Sequence, residues 1–332
     1  MTRPALLEMT EAGLHCPAGG FHIDPRRPVE RAVITHAHAD HARPGCGSYL
    51  ATPQCALLIR ARLGPGAPVR ETPYGRMVAL DGVRVSLHPA GHILGSAQVR
   101  VEHRGEIWGV SGDYKLHPDP TCAPFEPLRC HTLVTECTFG LPVFAWPAPE
   151  EVATEIGAWW RRNREEGRCS VLFAYSLGKA QRLASLLEPV GPIFAHGAVE
   201  AMAAVYRQAG VSLPRMRPAA EARAQAGDRG ALVIAPPAAE GTPWMRRFPD
   251  AARAFVSGWM RIRGNRRRRA LDRGFVLSDH ADWDGILSAV RGSGAERVWT
   301  THGFAAETAR FLAETGLAAE PVGTDIADSP EE

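Results

Sequence analysis

The chain has 332 residues, 45% of them hydrophobic and 22% charged, which is too apolar for a disordered protein and long enough for more than one core. A formal net charge of +2 does not by itself argue for a nucleic-acid partner, because what matters is whether charge gathers on one face. Seven cysteines without a C-x-x-C pair fit neither a disulfide framework nor a cysteine-rich zinc site.

The segment from Met1 to Gly20 has no continuous apolar stretch of signal length, and no segment approaches the roughly 20 apolar residues of a membrane span. A cytoplasmic protein with no membrane partner is expected. Up to about Thr138 the sequence reads as short strands with tight connections: Leu6 to Thr10, Phe21 to Asp24, Ala32 to Thr35, Val83 to Leu87, Gln98 to Glu102, Glu106 to Val110 and Thr132 to Thr135. Arg104-Gly105 suggests a hairpin turn. Residues able to bind a ligand follow strand ends: His36, His92, Asp113 and Glu136. After the proline-rich turn Pro142 to Pro149 helix and strand alternate, the signature of a parallel α/β unit. Helices are expected over Glu150 to Glu166, Lys179 to Leu187 and Ala198 to Gln208, with strands over Ser170 to Ala174, Ile193 to Ala195 and Ala231 to Ala235. The first style returns with strands Gly274 to Leu277, ending in Ser278-Asp279-His280, and Arg297 to Thr301, ending in His302. An insertion explains this order, the first domain resuming near residue 270. The tail from Glu320 is expected to be loose.

Seven arginines, from Arg261 to Arg273, fall within thirteen residues that hold one acid, Asp272. Charge alone leaves two readings even, a contact for nucleic acid or a solvated loop in a chain whose only lysines are Lys115 and Lys179.

His36-Ala37-His38-Ala39-Asp40-His41 places four ligand-type side chains within six residues. Side chains alternate along an extended segment, so His36 and His38 point the same way and can share one ion, while Asp40 and His41 can reach a second. Mixed imidazole and carboxylate ligation suits zinc and, less selectively, manganese or iron. The competing reading, surface histidines in a polar loop, is weak for three histidines around one aspartate. His92 lies between Gly91 and Gly95, Asp113 follows Gly112 at a strand end, and His302 precedes Gly303. Gly178-Lys179-Ala180 fails as a nucleotide-binding loop, because Phe173 stands for the first glycine and Ala180 for the Ser/Thr. A helix start with Lys179 and Arg182 can still hold a phosphate, or be a plain strand-turn-helix.

With these residues the sequence resembles the metallo-β-lactamase superfamily and, within it, the β-CASP nucleases, nearest the bacterial ligase-associated DNA exonuclease group and akin to Artemis and the crosslink-repair nucleases. Asp24, His36-x-His38-x-Asp40-His41, His92 and Asp113 match the family's first four motifs. Glu136 in Thr135-Glu136-Cys137, His280 in Ser278-Asp279-His280 and His302 in Thr301-His302-Gly303 match the later ones. The resemblance implies an αββα sandwich over residues 1–144 and 271–320, an inserted α/β cap over 145–270 and a loose tail over 321–332. It implies two zinc ions, with manganese as the alternative, one on His36, His38, His92 and Asp113 and the other on Asp40, His41, Asp113 and His302. Asp24 supports this set from behind. Asp40, Glu136 and His280 are the implied catalytic residues, with His280, held by Glu136, donating a proton to the leaving alkoxide. Tyr175, Ser176, Gly178, Lys179 and Arg182 match the strand-to-helix turn of the cap and are candidates for substrate binding. The implied function is DNA exonuclease activity in repair, with DNA as substrate and a DNA ligase and helicase as pathway partners. An RNA-processing nuclease shares every motif and remains the alternative, ahead of a small-molecule metallo-hydrolase and a non-catalytic binding protein. His302 does not decide between DNA and RNA, since animal crosslink-repair nucleases lack that histidine and the RNA-cleaving branch has it.

Overall fold

The computed structural model describes residues 5–222, 230–262 and 272–323. The chain forms two compact units, Met1–Phe144 with His280–Glu331, and Ala145–Asp279. The arginines at 263–269 lie outside the described residues.

In the first unit the opening segment builds a six-stranded sheet in chain order: β1 (Glu8–Thr10), β2 (Gly13–Cys16), β3 (Phe21–Ile23), β4 (Arg31–Val33), β5 (Ser48–Ala51) and β6 (Val69–Glu71). The first three strands are antiparallel and β3 to β6 are parallel. Parallel neighbours need a crossover, which α1 (Pro53–Leu63) supplies between β5 and β6. The sequence reading misses this helix. Its buried positions include Cys55 and Ala56 beside Leu58 and Ile59, so no apolar stripe stands out.

A second, seven-stranded sheet contains β7 (Val78–Leu80), β8 (Val83–Pro89), β9 (Ala97–His103), β10 (Glu106–Val110), β11 (Thr132–Glu136), β18 (Arg297–Thr301) and β19 (Ala318–Pro321), in the order β19-β18-β11-β10-β9-β8-β7. Arg104 and Gly105 form a two-residue turn between β9 and β10 with positive φ at both, the type I′ geometry that matches strand twist. The two sheets share one core: Leu14, Phe21, Ile23, Val33 and Leu50 from the first pack with Val85, Leu87, Val99, Val101, Trp108 and Val134 from the second. Every residue of β11 is buried. Val134 faces the first sheet, while Leu133 packs with Val290 and Leu312 from two further helices, Trp283–Ser293 and Ala305–Glu314. Asp282 starts the first of these by accepting the Gly285 amide, an ordinary N-cap.

The second unit is a six-stranded, all-parallel sheet: β12 (Ser170–Phe173), β13 (Ile193–Ala195), β14 (Arg217–Pro218), β15 (Leu232–Ala235), β16 (Ala252–Val256) and β17 (Arg273–Phe275), in the order β14-β13-β15-β12-β16-β17. Strands covered on both faces read as unbroken apolar runs, as in Ser170-Val171-Leu172-Phe173. Leu172 joins a core with α2 (Pro149–Glu165), α3 (Lys179–Leu186) and α4 (Gly197–Gln208), whereas Val171 and Phe173 pack with Phe248, Phe255 and Met260 on the opposite face. The sequence reading returns to the first domain near residue 270. Strand β17 instead pairs with β16, and the second unit runs to Asp279; composition cannot say which sheet a three-residue strand joins. No helix among the described residues is long and apolar enough to cross a membrane.

Trp108 is fully buried in the two-sheet core, where its ring meets Trp299 edge-on at 4.8 Å and its indole donates to Glu106. Trp108→Ala is expected to lower stability by about 3–5 kcal/mol, read as a lower urea midpoint with an unchanged slope.

Candidate metal centre

Strand direction gathers the candidate residues at one edge. Strands β10, β11 and β18 are mutually parallel, and β8 shares their direction because two antiparallel steps separate it from β10. The C-terminal ends of these strands therefore deliver His92, Asp113, Glu136 and His302 to the same side. The first sheet meets this edge where the Ala97 amide donates to the Thr35 carbonyl at 2.7 Å. Gly112 has φ +55, and a Cβ there would lie 2.6 Å from the Thr35 Cβ, so the strand end carrying Asp113 comes this close only with glycine.

His36, His38, His92 and Asp113 are all buried, with one ligand atom from each lying within 4.8 Å of the others. His36 Nε2 is 3.1 Å from His38 Nδ1 and 3.3 Å from Asp113 Oδ2, and His92 Nε2 is 3.2 Å from His38 Nδ1. The Thr35 hydroxyl donates to Asp24 and so accepts from His36 Nδ1 at 3.0 Å. That fixes the tautomer, leaving a lone pair on His36 Nε2 aimed at a carboxylate oxygen. Acceptors facing one another at this distance repel unless a cation sits among them. Their spacing is also that of a tetrahedron's edge, about 3.3 Å for an ion held at ~2.0 Å by imidazole nitrogen. The donor set fits a zinc-class ion.

His41 is positioned by Asp24, whose Oδ2 accepts from His41 Nδ1 at 2.8 Å; Asp24 itself has φ +44 and accepts the Thr35 amide. His41 Nε2 then faces Asp113 Oδ2 at 3.4 Å and Asp40 Oδ2 at 3.6 Å. Asp24, His36 and His41 form a second close group. Asp40 and His302 belong to neither group. The His302 ring is stacked 5.8 Å from that of His41, with φ +59 and Nδ1 held by the Thr301 hydroxyl at 2.9 Å. A non-glycine residue with positive φ is a strained position of the kind that gathers at functional sites.

Burial pushes His36 well below the usual histidine range, helped by neighbouring His41, and keeps it neutral. Burial alone would raise Asp113, but His41 and His36 beside it hold its carboxyl well below the usual range. Burial likewise opposes a charge on His41, yet Asp113, Asp40 and Asp24 together hold it well above the usual histidine range. In the ion-free protein the central carboxylate is thus balanced by a protonated His41.

Glu136 and His280, both buried, form a third group with Asp113. His280 Nδ1 donates to both Glu136 oxygens at 2.9 and 3.0 Å, and Glu136 also accepts the Tyr114 amide and the Thr138 hydroxyl. The His280 ring lies 4.8 Å from that of His92. With Nδ1–H committed to Glu136, any proton transfer by His280 would run through Nε2.

The candidates for substrate binding lie in the second unit, between β12 and α3. Tyr175 and Ser176 are half-buried, and the Gly178 amide donates to Gln181 Oε1, which closes the turn. Lys179 and Arg182 are 1% and 2% exposed. Arg182 donates to the Ser278 carbonyl at 2.6 Å and to Asp279 at 3.1 Å, so the guanidinium expected to grip a phosphate fastens the end of its own unit. The sequence reading also misses Thr35, Thr301 and Thr138, which orient His36, His302 and Glu136. The repeated Thr-His pair at two strand ends was the available signal.

The chain is 36% identical over 317 residues to a probable DNA ligase of Opitutus terrae, a match covering 94% of this chain and 31% of the ligase. It is 30% identical over 117 residues to RNase aCSPSF2 of Saccharolobus solfataricus, covering 34% of this chain and 23% of that protein. The chain thus spans about a third or less of the length of these relatives. A solved structure of a protein of unknown function from Enterococcus faecalis shares the fold, with TM-score 0.57 and 12% identity over 84% of this chain and 76% of the other. No protein-family model matches the chain.

An ion held through His41 Nε2 would displace the proton there, because Asp113, Asp40 and Asp24 hold His41 above the usual histidine range. Titrating zinc into ion-free protein in buffers of different ionisation enthalpy is expected to report release of about one proton per chain near pH 7. Because His41 is raised, apparent zinc affinity should keep climbing with pH above ~6.5; a heat signal independent of buffer would contradict this.

Proposed function

We propose that the chain is a β-CASP nuclease of the metallo-β-lactamase superfamily that hydrolyses phosphodiester bonds and, in particular, shortens DNA from an end during repair. The observation that carries this reading is the adjacency of an ion-demanding cluster, His36, His38, His92 and Asp113, to the buried Glu136–His280 pair. A small-molecule hydrolase has no evident need for that pair. Similarity to a probable DNA ligase supports the choice of DNA and a place beside a ligase. In this reading the unit Ala145–Asp279 is the cap, with Tyr175, Ser176, Gly178 and Lys179 near the substrate.

His36, His38, His92 and Asp113 would hold one zinc or manganese ion, and Asp40, His41, Asp113 and His302 would hold the other. When bound, two such ions acidify water and neutralise phosphate charge during an in-line displacement. The remaining work falls to side chains of this chain. Asp24 keeps His41 Nε2 aimed at Asp113, and Asp40 adds negative charge on the partly exposed side. Glu136 fixes the orientation of His280 through Nδ1, so that a proton on Nε2 can be given to the departing alkoxide.

His280→Ala is expected to retain bound zinc and lose roughly 10²- to 10⁴-fold in hydrolysis of ordinary DNA. A nitrophenyl phosphodiester, whose leaving group needs no proton, should be far less affected. Equal losses on both substrates would remove His280 from that role.

Exonuclease action is tested with one sequence supplied as a linear single strand and as a covalently closed circle, in DNA and in RNA. Degradation of linear DNA with survival of the circle is expected. Rapid cutting of the circle, or preference for RNA, would move the function to an RNA-processing endonuclease, the direction in which similarity to RNase aCSPSF2 points.

A further inference from the structure

Helix α1 carries none of the candidate ligands, yet it touches both of the loops that bring them. At its last turn Arg62 Nη1 donates to the Ala37 carbonyl at 2.8 Å and lies 3.4 and 3.5 Å from the Ala42 and His38 carbonyls. These three carbonyls belong to the segment that contains His36, His38, Asp40 and His41, curled so that its backbone dipoles converge on one cation. At the other end Thr52 caps the helix by accepting the Cys55 amide at 3.2 Å, and donates its hydroxyl to the Gly95 carbonyl at 2.6 Å. Gly95 lies so close that a Cβ on it would be 2.2 Å from the Cys55 nitrogen. Next to it the Ser96 hydroxyl accepts the His92 and Ile93 amides. The helix is tied separately to β6, where Arg60 donates to Glu71 and to the Val69 carbonyl.

We propose that α1 is a brace between the two ligand-bearing loops, with Arg62 and Thr52 as positioning residues that set the spacing of His36, His38 and His41 relative to His92. This rests on the reading of the site as a metal centre. Three carbonyl oxygens brought together without a cation would repel one another, so the guanidinium does for this loop's backbone what a metal ion does for its side chains. Arg62 reaches this segment through its backbone carbonyls. Its effect should therefore appear in ion affinity more than in the stability of the ion-free fold.

The test is competition for zinc against a chromophoric chelator, alongside thermal melting of the ion-free proteins. Arg62→Gln is expected to weaken zinc binding about 10- to 100-fold while melting within a few degrees of the parent. Arg62→Lys, which keeps a compact charge for the same carbonyls, should fall between the two. It also keeps the question open to measurement if the glutamine variant fails to fold. Arg60→Gln, which cuts the tie to Glu71 and touches neither loop, should leave zinc affinity unchanged. Parent-like affinity in Arg62→Gln, or an equal loss in Arg60→Gln, would overturn the brace while leaving the metal centre intact. A parent protein that binds no zinc would remove both.

Discussion

The structure turns on a crowd of acceptor atoms around one buried carboxylate. Asp113 Oδ2 lies within 3.8 Å of ring nitrogens from His36, His41 and His92, and a charge so buried is costly unless compensated. Without an ion the compensation comes from a protonated His41, itself held charged by three carboxylates. Such an arrangement is stable only inside a scaffold that cannot relax. The two face-to-face sheets provide one, because the loops that carry His36, His92 and Asp113 leave from strands β4, β8 and β10, which bury residues in the shared core.

Rigidity continues outward through hydroxyl groups. Thr35 links His36 to Asp24, Thr301 holds His302, and Thr138 holds Glu136. Thr35 and Thr301 each immediately precede the histidine they orient, so strand end and ring form one unit, while Thr138 reaches back two residues to Glu136. The same logic applies to the buried Lys115–Asp119 pair, in which Asp119 also accepts from Thr121 and the ammonium approaches the His92 carbonyl. An ion pair this deep is poor evidence of stability; here it fixes the path of the chain behind a ligand candidate.

What the sequence made legible follows from how local each signal is. His36 and His38 lie two residues apart, so that they point the same way was readable from alternation, and the strands Ser170–Phe173, Ile193–Ala195 and Leu232–Ala235 were plain as apolar runs, whereas Ala252–Val256, interrupted by Arg253, was not read. Helix α1 was hidden because cysteine and alanine fill much of its buried side. The end of the second unit at Asp279 was hidden because pairing of Arg273–Phe275 with β16 is a choice among sheets, which a short strand does not encode. Arg182 looked like a phosphate ligand because sequence records charge but not the Asp279 carboxylate that meets it.

The seven-stranded sheet is assembled from distant parts of the chain. Thr135 on β11 and Thr301 on β18 are hydrogen-bonded although 166 residues apart, with the whole second unit between them. Pairing these strands means closing a very long loop, an entropic cost that grows only slowly with length but delays the contact in time. During synthesis the segment with His36, His92, Asp113 and Glu136 emerges well before His280 and His302 exist. A nascent chain can thus gather the first cluster of ligand candidates while lacking both His280 and His302. Completion of the sheet edge, which waits for β18 and β19, is then also the step that brings His302 to the cluster that His36, His92 and Asp113 begin.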